Sequence, residues 1–219
     1  MMIARILILA ALLIAPGVGP AFSAPEPRAP AFTEAQKADL TRVSDYLNSI
    51  RTAQGRFVQI SADGRSLSGT LYLRKPGRLR FEYDTPNPTL VVSDGSTIAV
   101  SNTKLKTTDR YPLVDSPLRI LLSDKIDLAA DARVSGTRRE TGTLVVTARQ
   151  PSGPAQGEIT LFFADAGSSL ELRQWEVVDA QNLRTLVALS GLRTGVELAP
   201  RLFVIQELDP FKRPGAGRP

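Results

Sequence analysis

Apolar and polar positions change period early in the chain. Between Thr33 and Ile50, Leu40, Val43, Leu47 and Ile50 recur at the spacing of one helical face, behind a Thr33/Gln36 pair that fits a capping box. From Ala53 the period becomes two. Ala53 to Ile60 reads as a strand, and Gly69 to Arg74 places Leu71 and Leu73 on one face with Thr70, Tyr72 and Arg74 on the other. Pro76 and Gly77 then turn the chain into Leu79 to Tyr83, where Leu79, Phe81 and Tyr83 share a face. Leu90 to Ser93 and Ser96 to Ser101 flank a hairpin turn at Asp94 and Gly95. Ser116 and Pro117 can open a short helix carrying Leu118, Ile120, Leu121 and Leu122. Strands follow at Thr143 to Arg149, Glu158 to Ala164, Leu170 to Val178, Leu183 to Leu192 and Arg201 to Ile205. The pattern predicts a mainly β chain with some α: an antiparallel sheet curved into an incomplete, half-open β-barrel, covered on its concave side by helices.

Several of these stripes have two readings. The apolar face of the first helix is either core packing or the wall of a cavity. The Leu118 to Leu122 cluster is either buried against the sheet or a lid that opens, and a closed lid is itself a buried helix. Arg74, Lys75, Arg78 and Arg80 form the nearest thing to a basic patch, which is either a solvated strand edge guarded against aggregation or a docking surface.

The ends of the chain differ from its middle. Arg5, the apolar run Ile6 to Ala15 and the small residues before Pro25 have the layout of an export signal over residues 1–23, cleaved after Ala21 or Ser23. That run is well short of the roughly 20 residues a spanning helix needs. A Pro-rich linker, 24–32, precedes one domain, 33–207, and a Pro-, Gly- and Arg-containing tail, 208–219, reads as disordered. The formal charge of +5 is dispersed, without the dense basic runs and interleaved aromatics of a nucleic-acid surface. With 0 His and 0 Cys there is no route to a Ser-His-Asp triad, a thiolate nucleophile, a His-ligated metal or a disulfide. Asp63, Asp84, Asp94, Asp165 and Asp179 mostly sit in turn-like contexts that favour backbone capping over acid–base chemistry. The expectation is a non-enzymatic protein with no cofactor and no metal.

The order of motifs between Gly69 and Asn102 resembles the LolA family of periplasmic lipoprotein carriers. The residues that carry the resemblance are Arg74, Lys75 and Pro76, the alternating Leu79, Phe81 and Tyr83, the hairpin Val92, Ser93, Asp94 and Gly95, and, more weakly, Phe57 with Gln59. Lys75 stands where that family often has Arg, and Ala99, Val100 and Ser101 stand where it often has aromatic residues. The likeness extends over about Thr33 to Ile205.

The resemblance implies an incomplete β-barrel with a helical lid, working as a periplasmic carrier that buries the acyl chains of lipoproteins between the inner and outer membranes. It implies cavity or lid residues Leu40, Val43, Leu71, Leu73, Leu79, Phe81, Tyr83, Leu118, Leu121 and Leu122. Arg74, Lys75 and Pro76 would lie at the mouth or in partner docking. The implied partners are acylated lipoproteins and an inner-membrane lipoprotein-releasing ABC transporter, with an outer-membrane acceptor lipoprotein as an open alternative, for a monomeric carrier. Two other functions stay open: a carrier of a different amphiphile such as a glycolipid, and a lipid-sensing module like that of RseB-type regulators.

Overall fold

The computed structural model describes residues 32–150, 156–206 and 208. The expected export signal lies outside them, as do the linker except Phe32 and the tail except Leu208. Phe32 packs on the core.

Helix α1 spans Glu34–Ser49 and starts as its sequence dictates. The Thr33 hydroxyl accepts from the Gln36 amide while the Gln36 side chain accepts from the Thr33 amide, closing the capping box. Leu40, Val43 and Leu47 on its apolar face are at most 2% exposed. Six strands follow as a meander: β1 Thr52–Ile60, β2 Ser66–Arg74, β3 Arg78–Tyr83, β4 Thr89–Asp94, β5 Thr97–Asn102 and β6 Thr107–Pro112. A connection that includes the one-turn helix α2, Arg119–Leu122, leads to a second meander: β7 Val134–Glu140, β8 Thr143–Gln150, β9 Gly157–Asp165, β10 Leu170–Asp179 and β11 Arg184–Thr194. Strand β1 pairs with β11, which joins both meanders into one antiparallel sheet of 11 strands with β6 and β7 at its edges.

The sheet is rolled around its helices. The rings of Phe81 on β3 and Trp175 on β10 lie with centroids 6.2 Å apart, although those strands are four places apart in the sheet. On a flat sheet four steps would separate them by roughly 19 Å. The concave face holds one cluster, in which Leu40, Val43 and Leu47 of α1 meet Phe57, Leu71, Phe81, Leu144, Val146, Phe163 and Trp175. Two edges stay unpaired, so this is an open sheet rather than a closed barrel, and the 113–133 connection runs from one edge to the other.

Three sequence expectations change. Strands β6 and β7 are absent from the hydrophobic pattern because edge strands exposed along most of their length have no apolar face to alternate. The stretch expected as a strand at Arg201 to Ile205 is instead a 3-10 turn, Pro200–Phe203. Pro200 opens this turn, which packs against β3 and β4 and leaves Phe203 3% exposed. Opposite the main core, Val92 and Ala99 are buried at 3% and 1% exposure. Third, β2 and β3 are interior strands, which overturns the reading of Arg74, Lys75, Arg78 and Arg80 as a strand edge.

Charge holds α1 in place. Arg42 grips both carboxylate oxygens of Asp165 at 2.8 and 2.9 Å, and Arg139 of edge strand β7 spans Asp39 of α1 and Asp165. Hydrogen bonding from Arg42 lowers the Asp165 carboxyl to a pKa of about 2. The Tyr46 hydroxyl accepts from the Leu172 amide beside the β10 bulge, at 3.0 Å.

Gly69 on β2 shows how tightly the inner face is packed. A Cβ there would meet the Glu82 carbonyl at 2.2 Å and the Phe57 ring at 2.6 Å. Gly69→Ala is therefore expected to lower unfolding free energy by about 2 kcal/mol or more, the scale of overpacking a filled core, as read from urea denaturation. Unchanged stability would mean that the β3 backbone at Glu82 and the Phe57 ring both give way freely.

Candidate functional site

Leu71, Leu73 and Lys75 share one parity, so the inward face of β2 continues past the strand end and brings the lysine to the concave side of the sheet. Its ammonium is buried, with the residue 6% exposed, and donates to the Leu47 carbonyl in the last turn of α1 at 2.7 Å. That carbonyl belongs to the electronegative end of the helix, a favourable place for a cation. The Lys75–Pro76 peptide is cis, and Pro76 itself is exposed. Gly77 has φ 72° and its amide donates to Leu122 O of α2 at 2.9 Å. One turn thus binds the C-terminal ends of both helices.

The hairpin at Asp94 supports this turn. Ser93, fully buried, donates its hydroxyl to the Gly77 carbonyl at 2.7 Å. A Cβ on Gly77 would come within 2.7 Å of Gly95, so the two glycine turns pack backbone to backbone. Asp94 fixes the hairpin by accepting from the Ser96 and Thr97 amides. Phe57 and Gln59 also gain a reason: Phe57 stacks edge-on against Phe81 and Tyr83, and Gln59 accepts from the Tyr83 hydroxyl at 2.6 Å.

Beyond α2 the chain runs back along α1 on a row of polar clips. Asn48 donates to Ile126 O at 2.8 Å and accepts from Ile126 N at 2.9 Å, Ser44 accepts from Leu128 N at 3.0 Å, and Arg51 pairs with Asp124 at 2.7 Å. Residues 44, 48 and 51 lie on one helical face and its continuation, and they meet 128, 126 and 124 in antiparallel order. The segment after α2 is therefore fastened to α1, while α2 is held by apolar burial and the Gly77 bond.

Between α1, α2 and the sheet lies an apolar cavity of about 30 Å3. It is lined by Leu47, Ile50, Ala53, Leu71, Leu73, Lys75, Leu79, Leu118, Leu121, Leu122, Leu172, Trp175, Leu189 and Leu192. That volume accommodates a water or two and no alkyl chain. Of the residues singled out from sequence, Leu71, Leu73, Leu79, Leu118, Leu121, Leu122 and Lys75 border it. Leu40, Val43, Phe81 and Tyr83 belong to or pack on the surrounding core without lining it, and Arg74 and Pro76 lie outside it. Sequence reasoning missed Trp175, Leu172, Leu189 and Leu192, because alternation on β10 and β11 does not reveal which strands converge on α2. It also missed Ser44 and Asn48, polar residues flanking an apolar helical stripe.

These features coincide with a family assignment. A family description reading outer membrane lipoprotein carrier protein LolA matches residues 48–206, most of the chain. The chain belongs to the LolA family. An outer-membrane lipoprotein carrier protein of Methylococcus capsulatus is 26% identical over 78% of this chain and 85% of its own length. One from Alkalilimnicola ehrlichii is 31% identical over 78% of this chain and 80% of its own. Among solved structures, a LolA superfamily protein from Nitrosomonas europaea gives a TM-score of 0.40 at 8% identity, covering 76% of this chain and 97% of that one. Within the LolA frame, the matched region takes in the cavity's strands, α2 and the Lys75 turn.

Burial pushes the Lys75 ammonium down from the ordinary 10.5 to about 8, with the nearby Arg51 adding to the shift. Below about pH 8 folded and unfolded chains both carry this proton, and above 10.5 neither does. Between those limits only the unfolded chain holds it, so the lysine makes stability rise with pH, by at most about 1.4 kcal/mol per pH unit. Tyr46 and Tyr83, whose phenols burial raises above the ordinary 10.0, act the opposite way near the top of the window. The difference between native protein and Lys75→Met isolates the lysine. Urea unfolding from pH 8 to 10.5 is expected to show the native protein gaining on the variant, and parallel curves would contradict a buried, desolvated ammonium.

Proposed function

We propose that this protein is a periplasmic carrier that hides the acyl chains of lipoproteins in the cavity beneath α2 and moves them from the inner to the outer membrane. The observation that carries the reading is an apolar cavity, bordered by a helix of one turn, whose only charged lining residue among the described residues is Lys75, in a chain of the LolA family. Two of its relatives bear the name outer-membrane lipoprotein carrier protein.

Magnitudes support carriage over a fixed pocket. Ile120, Leu121 and Leu122 are at most 5% exposed, and uncovering each of them costs about 1.5–3 kcal/mol. Each buried methylene of a ligand contributes about 0.8 kcal/mol, so an acyl chain of about fifteen methylenes offers roughly 12 kcal/mol. One chain suffices to displace α2, and the displaced leucines are covered again by the ligand. Leu71, Leu73, Leu79, Leu118, Leu121 and Leu122 contact the chains in this reading. Leu40, Val43, Phe81 and Tyr83 form the wall behind them. Lys75 is the clasp, with Pro76 shaping its turn, and Arg74 flanks the mouth. The donor is an inner-membrane lipoprotein-releasing transporter, and the carrier acts as a monomer.

Trp175 is the sole tryptophan of the chain and lines the cavity, so its fluorescence reports directly on occupancy. A triacylated lipopeptide brominated along its acyl chains is expected to quench at least half of the Trp175 emission, while the unbrominated lipopeptide does not. Bound lipopeptide, established by co-elution, with undiminished emission would overturn the cavity reading. Quenching by a brominated glycolipid alone would move the cargo to a different amphiphile.

A further inference from the structure

The cavity contains one charge that the burial of acyl chains does not use. A chain held in ester or amide linkage is neutral along its whole length, so a wall of leucines suffices for it. Lys75 nonetheless lines the same space as Leu71, Leu73, Leu79 and Trp175, and the residue is 6% exposed. An ammonium has three donors. One goes to the Leu47 carbonyl at 2.7 Å, and among the described residues no carboxylate lies within ion-pair distance of the other two. Asp124, whose charge is felt at Lys75, pairs with Arg51 at 2.7 Å. The lysine is thus a cation withdrawn from water into an apolar space, with a neutral carbonyl as its partner and two donors to spare.

We infer that the cavity takes a free long-chain fatty acid as a second ligand, its alkyl chain against the leucines and its carboxylate on the Lys75 ammonium. The inference rests on the reading that the cavity opens beneath α2 to admit alkyl chains. The fold has already withdrawn the ammonium from water, so only the carboxylate gives up its hydration on binding, and the pair leaves no net charge in the interior. Hydrogen bonds between two ionised groups are the strong ones. A carboxylate is favoured over a phosphate head because a single compact ammonium balances one charge and lacks the planar fork of donors that suits phosphate. The two spare donors also let the carboxylate bind while Lys75 keeps its bond to Leu47.

The test is quenching of Trp175 by palmitic acid brominated on its chain, against the matching brominated alcohol, both at submicellar concentration and about pH 7, where Lys75 holds its proton. The native chain is expected to bind the acid roughly 10- to 100-fold more tightly than the alcohol, the scale of a hydrogen bond between charged groups. Lys75→Met should bring acid and alcohol within about threefold of each other. Because that variant may lose the fold, two further measurements keep Lys75 in place. The double variant Arg51→Gln, Asp124→Asn, which removes the neighbouring surface pair together, should retain the preference, and about 0.5 M salt should leave it within threefold in the native chain, since a pair inside an apolar cavity is little screened. Equal affinity of the native chain for acid and alcohol would overturn the inference, as would a preference that survives in Lys75→Met or disappears in the double variant or in salt. Brominated lipopeptide, measured in parallel on the native chain, separates the two readings: quenching by lipopeptide without preference for the acid sinks the fatty-acid site alone, whereas quenching by none of the three ligands sinks the opening of the cavity itself.

Discussion

The arrangement around the cavity depends on one turn. Lys75 and Gly77 reach to opposite sides of it, the first to the end of α1 and the second to the end of α2. Neither bond could form if the turn were free to move. It is fixed from behind by Ser93 and by the contact between Gly77 and Gly95, so the second hairpin acts as a brace for the first. Each element is a short polar device set into an apolar interior, where an unmade hydrogen bond is costly and a made one is correspondingly directional.

Sheet closure sets the problem that this turn solves. Pairing β1 with β11 curls both meanders round a common core, but β6 and β7 never meet. A rolled sheet with an open seam must cover its concave face with something other than strands. Helix α1 does so from one side, held by the Asp39, Arg42, Arg139 and Asp165 cluster. The 113–133 connection does so from the other. Its two halves are held unequally: beyond Ser123 it is clipped to α1 through Asn48 and Ser44, whereas α2 has the Gly77 bond and its leucines. Of the two halves, α2 therefore has fewer polar contacts to the rest of the fold.

Much of this was legible in the chain, and the reason varies by element. Helix α1 and its cap follow from spacing and the Thr33/Gln36 pair. The inner strands follow from alternation, and the Lys75 to Gly77 and Val92 to Gly95 motifs belong to one sequence signature, which does not itself show that they touch. The edge strands escaped notice because they lack a buried face. Arg201 to Ile205 misled because the apolar, β-branched and aromatic run Leu202 to Ile205 fits a short buried strand even when Pro200 starts a tight turn against β3 and β4. The cavity wall was half legible: alternation names inward residues on each strand, yet convergence of β10 and β11 on α2 is set by the curvature of the whole sheet. The polar clips on α1 carried no sequence signal beyond their helical spacing.

The central claim, that cargo enters by freeing α2 from the Lys75 to Gly77 turn, is tested most directly by hydrogen exchange at the Gly77 amide. With the cavity empty, this amide should be protected by its bond to Leu122 O. Saturation with a triacylated lipopeptide should raise its exchange at least tenfold, while the Ile126 amide, clipped by Asn48, keeps its protection. Unchanged protection of Gly77 in a lipopeptide-bound protein would contradict the account.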